Sequence, residues 1–198
     1  MSKVLVAYTT NAGSTTEIAE TVAAEVRACG HHVDLVRCQD CTGLAGYDAL
    51  ILGAPMILGW QRAALNFLKK HRSELANRPT ALFCSMMSLT QPASPLPPEI
   101  AIDPWLPKPP KNPNRLSIKE NYATIANYLR PIRQAAPDLH PVTVAFLGGK
   151  LELFRLKWWQ MLFVVAIIQA QPGDLRNWDF IRGWARQFAE TSLTGRPQ

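Results

Sequence analysis

The stretch "KVLVAYTTNAGSTTEIAE" (residues 3–20) decides how the rest of the chain is read. Its first six residues form a short apolar run of β character. From Ser14 onward the apolar residues Ile18, Val22 and Val26 recur every four positions, the spacing of one helix face. Gly30 stops that helix in the manner of a C′ glycine. Between strand and helix lie eight small or hydroxylated residues, Thr9 to Thr16. A strand that feeds a helix through such a turn is the first unit of an α/β protein.

The pattern repeats along the chain. "HVDLVRC" (32–38) alternates as a strand, and "YDALILGAP" (47–55) reads as a buried strand that ends in a loop. "RAALNFLKKHRSELAN" (62–77) predicts a helix with Leu65, Leu68 and Leu75 on its apolar side. "PTALFCSM" (79–86) is a strand, and "NYATIANYLRPIRQ" (121–134) a helix that Pro131 kinks or ends. "PVTVAFLGG" (141–149) is the fifth strand and "NWDFIRGWARQFAE" (177–190) the last helix. Strands that alternate with helices demand a parallel sheet covered on both faces, and continuously apolar strands agree. The expected fold is α/β: a doubly wound five-stranded parallel sheet, order 2-1-3-4-5, in a single domain spanning 1–198. Two insertions interrupt it. Residues 90–118 carry nine prolines, which exclude a helix or a central strand. Residues 150–173 are basic, aromatic and apolar.

Composition narrows the function classes. The chain has 198 residues, 47% of them apolar, which rules out disorder throughout and suits one domain. The N-terminus shows no leader pattern, so the expected compartment is the cytoplasm. Four cysteines need no disulfide role there, and the lone Cys38-x-x-Cys41 has no second pair to complete a zinc site. The four histidines have no metal spacing, so no metal is expected. A formal net charge of +6 favours anionic partners. No nucleic-acid motif accompanies the charge, and nucleic acid is ranked last.

In an open α/β sheet the ligand lies beyond the carboxyl ends of the strands. Thr9, Thr10, Asn11, Gly13, Ser14 and Thr15 sit on that rim, before a helix whose N-terminus carries unpaired N–H groups. That is a site for an anion, phosphate above all. The same residues admit a plainer reading, in which Ser14 caps the helix and Glu17 completes a capping box. No G-x-x-x-x-G-K-[ST] or G-x-G-x-x-G is present, which disfavours a nucleoside triphosphate and a dinucleotide.

"YTTNAGSTTEIAE" resembles the phosphate loop of flavodoxins, and "YDALILGAPMILG" resembles their second flavin loop. The resemblance covers the chain as sequential elements and implies FMN as cofactor. It places the phosphate on Thr9, Thr10, Asn11, Gly13, Ser14 and Thr15. It places the isoalloxazine between Ala54, Pro55, Met56, Ile57, Leu58, Gly59 and Trp60 on one side and Ser85, Met86 and Met87 on the other. Met56, Ile57, Leu58 and Trp60 would wall an apolar slot, or else pack the core. The loop after Met86 lacks the aromatic that often stacks there in electron carriers.

Electron-carrier flavodoxins are typically acidic, and this chain is basic. "GAPMILGWQRAALNFLKKHRSEL" and "RLKWWQMLFVVAII" resemble the menaquinone-dependent protoporphyrinogen oxidases. That resemblance implies an FMN enzyme moving electrons from a porphyrinogen, or a similar anionic donor, to a quinone. No protein general acid or base is named. From Trp158 to Ile168 only Gln160 is polar, too short a run to span a bilayer. Read as a helix, 150–170 suits a peripheral membrane surface, the core or a homodimer interface. Lys108, Lys111, Arg115 and Lys119 form a run without acids in the first insertion. They are a solvated loop or a lure for carboxylates and acidic lipid. The competing functions are an electron carrier or quinone reductase with another donor, and a binding module without catalysis.

Overall fold

The computed structural model describes residues 1–11, 13–56, 59–92, 95–151 and 173–193. Five long strands build the sheet: β1 (Lys3–Tyr8), β2 (His32–Arg37), β3 (Ala49–Pro55), β4 (Thr80–Met86) and β8 (Thr143–Gly148). They are parallel and lie in the order β2-β1-β3-β4-β8, the expected doubly wound arrangement. Helices α1 (Ser14–Ala28) and α6 (Trp178–Ser192) cover one face. Helices α2 (Arg62–Lys70) and α5 (Ile125–Ala135) cover the other.

Alternation along each strand explains the two cores. Val4, Val6 and Tyr8 of β1 join Ile51, Phe83 and Leu147 against Ile18, Val22, Trp184 and Phe188. Leu5 and Ala7 face the other way, with Leu50, Leu52, Leu82 and Phe146, against Phe67, Leu68, Tyr128 and Ile132. Both layers exclude water: Leu5, Ile51, Phe83 and Phe146 have no exposed surface. Each such side chain contributes about 1.5–3 kcal/mol of burial. At the surface, Glu25 of α1 pairs with Arg186 of α6 at 2.9 Å.

The proline-rich insertion is more ordered than its composition predicts. It holds β6 (Ile100–Ile102), which pairs in parallel with β8 as a sixth, edge strand. Prolines flank β6 rather than interrupt it, so no ladder amide is lost. Strands β5 (Leu89–Thr90) and β7 (Pro107–Lys108) form a second small sheet. Helix α4 (Ile118–Tyr122) then returns the chain to the fold, capped by Ser117 with Glu120 in a complete capping box.

Two expected helices differ from their predicted spans. The 62–77 segment breaks at His71, whose φ of −106° and ψ of 12° leave the helix, and α3 (Arg72–Leu75) follows. His71 is buried against Phe67, and its Nδ1 lies 2.9 Å from the Glu74 carboxylate. The 121–134 segment is two helices, α4 and α5, parted at Ala123–Thr124. Pro131 lies inside α5 and does not end it. The second insertion begins and ends in a short antiparallel pair, β9 (Lys150–Leu151) with β10 (Gly173–Asp174). The membrane, core and dimer readings of 150–170 fall on residues 152–172, which lie outside the described residues. Among the described residues no helix is long and apolar enough to cross a membrane.

Candidate functional site

The first rim loop starts where β1 ends. Thr9 donates its amide to Gly53 O at 2.9 Å, which holds the loop against β3. Gly13 takes a φ of 93°, left-handed backbone that suits glycine, and it is the N-cap residue of α1. Its amide donates to Thr10 Oγ1 at 2.9 Å, leaving the Thr10 hydroxyl proton for another acceptor. Ser14 and Thr15 therefore open the helix, and among the described residues none accepts their amides. This corrects the capping-box reading: Gly13, not Ser14, is the cap. The Glu17 carboxylate turns instead to Arg176 Nη1, at 2.6 Å.

The loop is tied to the other two rims through Ser85. Its hydroxyl lies 3.1 Å from Thr15 Oγ1, and its carbonyl accepts the Met56 amide at 2.8 Å. One residue at the end of β4 thus joins the first, second and third loops. Asn11 Oδ1 accepts from Gln61 Nε2, a further link from the first loop to the start of α2. Of the predicted residues, Thr9, Thr10, Asn11, Gly13, Ser14, Thr15, Met56 and Ser85 therefore share one connected rim.

The predicted slot residues divide. Ala54 and Pro55 are buried within β3, paired with Cys84 and Ser85. Met56, Trp60 and Met86 are buried in the core cluster beneath the loops. The Trp60 indole N–H donates to Tyr128 O at 2.9 Å, so its polar edge is committed. Gly59, with a φ of 95°, and Met87 stay partly exposed. Ile57 and Leu58 lie outside the described residues.

Sequence reasoning missed Gln61 and Arg176. Gln61 follows the second loop without a motif to mark it. Arg176 is a lone basic residue before the last helix, yet its side chain is only 5% exposed. It bridges Glu17 and Asp174, each at 2.6 Å, and stacks on the Trp178 ring at 4.6 Å. The hydrogen bond to Asp174 raises the guanidinium pKa most; burial opposes it, and Glu17 adds to the rise. The pairing also cancels a carboxylate one turn from the first loop. Cys38 belongs to the interior: burial, then the neighbouring Cys41, pushes its thiol up to about 12. A thiol so raised is not a nucleophile at neutral pH.

These residues fit a phosphate ester. Thr9 Oγ1 is buried and has no hydrogen-bond partner among the described residues. Beside it are the Thr10 hydroxyl proton, a left-handed glycine and the open end of a fifteen-residue helix. The fold and this rim together define a doubly wound α/β protein with an anion-binding loop at its switch point. Residues 5–175 match the Flavodoxin_5 family, described as a flavodoxin domain, and the chain belongs to that family. FMN is the cofactor of flavodoxin domains, in agreement with the expectation from the loops.

Protoporphyrinogen IX dehydrogenase (quinone) of Escherichia coli strain K12 is 22% identical over 206 residues, spanning 98% of each chain. The crystal structure of oxidised flavodoxin 1 from Bacillus cereus is similar at 14% identity and a TM-score of 0.50. That likeness covers 99% of this chain and 100% of that one. A flavodoxin from the domain Archaea is similar at 11% identity and a TM-score of 0.50, covering 95% and 96%. The two structural likenesses bear on the fold.

Proposed function

We propose that the chain is an FMN-dependent oxidoreductase that takes electrons from a porphyrinogen-type donor and passes them to a quinone. The end-to-end resemblance to a quinone-linked protoporphyrinogen IX dehydrogenase carries this reading. At 98% coverage of both chains, the aligned span takes in both insertions, the parts of this sequence that a minimal doubly wound sheet does not need.

Bound FMN supplies the ring that accepts and releases electrons. The chain's own part is positioning. Ser14 and Thr15 present helix-end amides to the phosphate, with the hydroxyls of Thr9 and Thr10 beside them. Ser85 locks the three loops into one rim, so the slot is built before the cofactor arrives. Lys108, Lys111, Arg115 and Lys119 are exposed and attract a donor that carries carboxylates. Hydride or electron transfer to the ring depends more on positioning than on a protein acid or base. The stretch 150–170 is the proposed contact with a peripheral membrane surface where a quinone resides. Deleting it should abolish flotation with anionic liposomes and leave FMN binding intact.

The deciding experiment is anaerobic mixing of the FMN-loaded protein with protoporphyrinogen IX and a menaquinone analogue. Porphyrin fluorescence should rise with flavin present and stay flat in the flavin-free control. A flat trace with flavin present excludes the porphyrinogen, and leaves the carrier and binding-module readings.

A further inference from the structure

We propose that Tyr122, delivered by the returning limb of the proline-rich insertion, is the aromatic wall of the flavin slot. The inference rests on the FMN reading and assigns to it a residue outside the three loops that frame the site.

Tyr122 closes the C-terminal end of α4. Its hydroxyl lies 3.4 Å from the point where a Cβ on Gly59 would sit, so the ring tip stands close beside the second loop. The same helix is fastened to the chain just after the third loop. The Thr90 amide donates to Ala123 O at 2.8 Å, and the Thr90 hydroxyl donates to Glu120 O at 2.7 Å. Tyr122 therefore stands beside the second loop, on a helix fastened to the chain just after the third.

The ring also has a rigid seat. It packs edge to face on Tyr128, with centroids 6.3 Å apart and planes at 89°. Tyr128 is itself fixed: its hydroxyl donates to Ser88 O at 3.2 Å, and its carbonyl takes the Trp60 indole N–H. Both partners of Tyr128 belong to the loops in question, so the seat and the slot are one construction.

Elimination points the same way. Ser85 to Thr90 contains no aromatic residue. Trp60 and Tyr128 are each 5% exposed and spend their surface in the core. Among the described aromatics that touch the two loops, Tyr122 alone keeps a large open face, at 46% exposure. A flat conjugated ring needs such a face, because offset stacking holds it in register. The proline-rich insertion is then part of the cofactor site. Its prolines and its small sheet exist to hold α4 in place.

The test is FMN titration of the apoprotein, followed by the fluorescence of the bound flavin. Tyr122→Ala should raise the dissociation constant about 10-fold, in line with loss of one stacked ring. It should also recover flavin fluorescence that the tyrosine quenches in the parent protein. Tyr122→Phe should bind FMN within about threefold of the parent. Tyr122→Leu keeps an apolar side chain on Tyr128, so lost quenching in that variant isolates the ring. Near-ultraviolet circular dichroism of each apoprotein reports the fold. Parental affinity and parental quenching in both Tyr122→Ala and Tyr122→Leu would overturn the assignment while leaving the FMN reading intact. A parent protein that binds no FMN would overturn both.

Discussion

Thr9 and Thr15 make opposite predictions from the same chemical change. Thr9 holds a hydroxyl in the interior with nothing to bond, and an unmet buried donor costs about 1–3 kcal/mol. Thr9→Val removes that cost, so the apoprotein should gain about 1 kcal/mol in urea denaturation. The same change deletes a phosphate donor, and FMN affinity should fall about 10-fold by fluorescence titration. Thr15→Val breaks the bond to Ser85 and strands the Ser85 hydroxyl, so the apoprotein should lose about 1 kcal/mol and FMN affinity should fall as well. A Thr9→Val variant that loses stability would mean the hydroxyl is satisfied in the free protein. The hydroxyl-rich loop was legible from residue types alone as the turn that joins β1 to α1. Its partners were not: no spacing rule links Thr15 to Ser85, or Asn11 to Gln61, because the sheet brings them together.

At the level of elements, the S-x-x-E spacing occurs twice and forms a capping box once. Ser14–Glu17 fails because Gly13 already caps α1 and Arg176 takes the carboxylate. Ser117–Glu120 succeeds because Ser117 is extended, with a φ of −65° and ψ of 163°. There the Ser117 hydroxyl, then the amides of Lys111 and Ser117, hold the Glu120 carboxyl at about 2 instead of 4.5. A depressed carboxyl stabilises the folded form above its ordinary value and loses that contribution as pH falls through the folded one. Between pH 4.5 and about 2, α4 should therefore loosen, followed as faster amide exchange across 118–122. Glu120→Gln should be loose at neutral pH and flat across that window. Gly148 sets a second limit on the rim, since a Cβ there would lie 1.8 Å from Leu175 O. Gly148→Ala must displace that backbone, and a loss of about 3 kcal/mol by thermal denaturation is expected. The five long strands were legible because four are nearly continuous apolar runs and β2 alternates. β6 was not, because three residues among prolines carry no periodicity and an edge strand needs only one partner. The break at His71 was hidden for a related reason: leucines at helical spacing continue on both sides of it.

Taken whole, the proposed function gives the proline-rich insertion two parts, Tyr122 toward the cofactor slot and a basic run toward the donor. Glu17, a carboxylate one turn from the cofactor rim, is matched by Arg176. Part of the net charge of +6 lies on Lys108, Lys111, Arg115 and Lys119, which no acid interrupts between Pro104 and Lys119. Glu120, the next acid, is held by the Ser117 hydroxyl and the amides of Lys111 and Ser117. Charge placed on a surface in this way acts on encounter, and raises association rates about 10- to 1,000-fold for ligands of opposite sign. Replacing the four basic residues with glutamine should slow reduction of the bound flavin by a carboxylate donor about 10-fold at low ionic strength. The gap should close near 1 M salt, where the Debye length falls to about 3 Å. The methyl ester of the same donor should react with both proteins alike at any salt, because it offers the lysines nothing to attract. Rapid-mixing absorbance at the flavin band measures all of these rates. An ester that slows as much as the free acid would place the four residues in direct contact with the donor's ring instead of in its field.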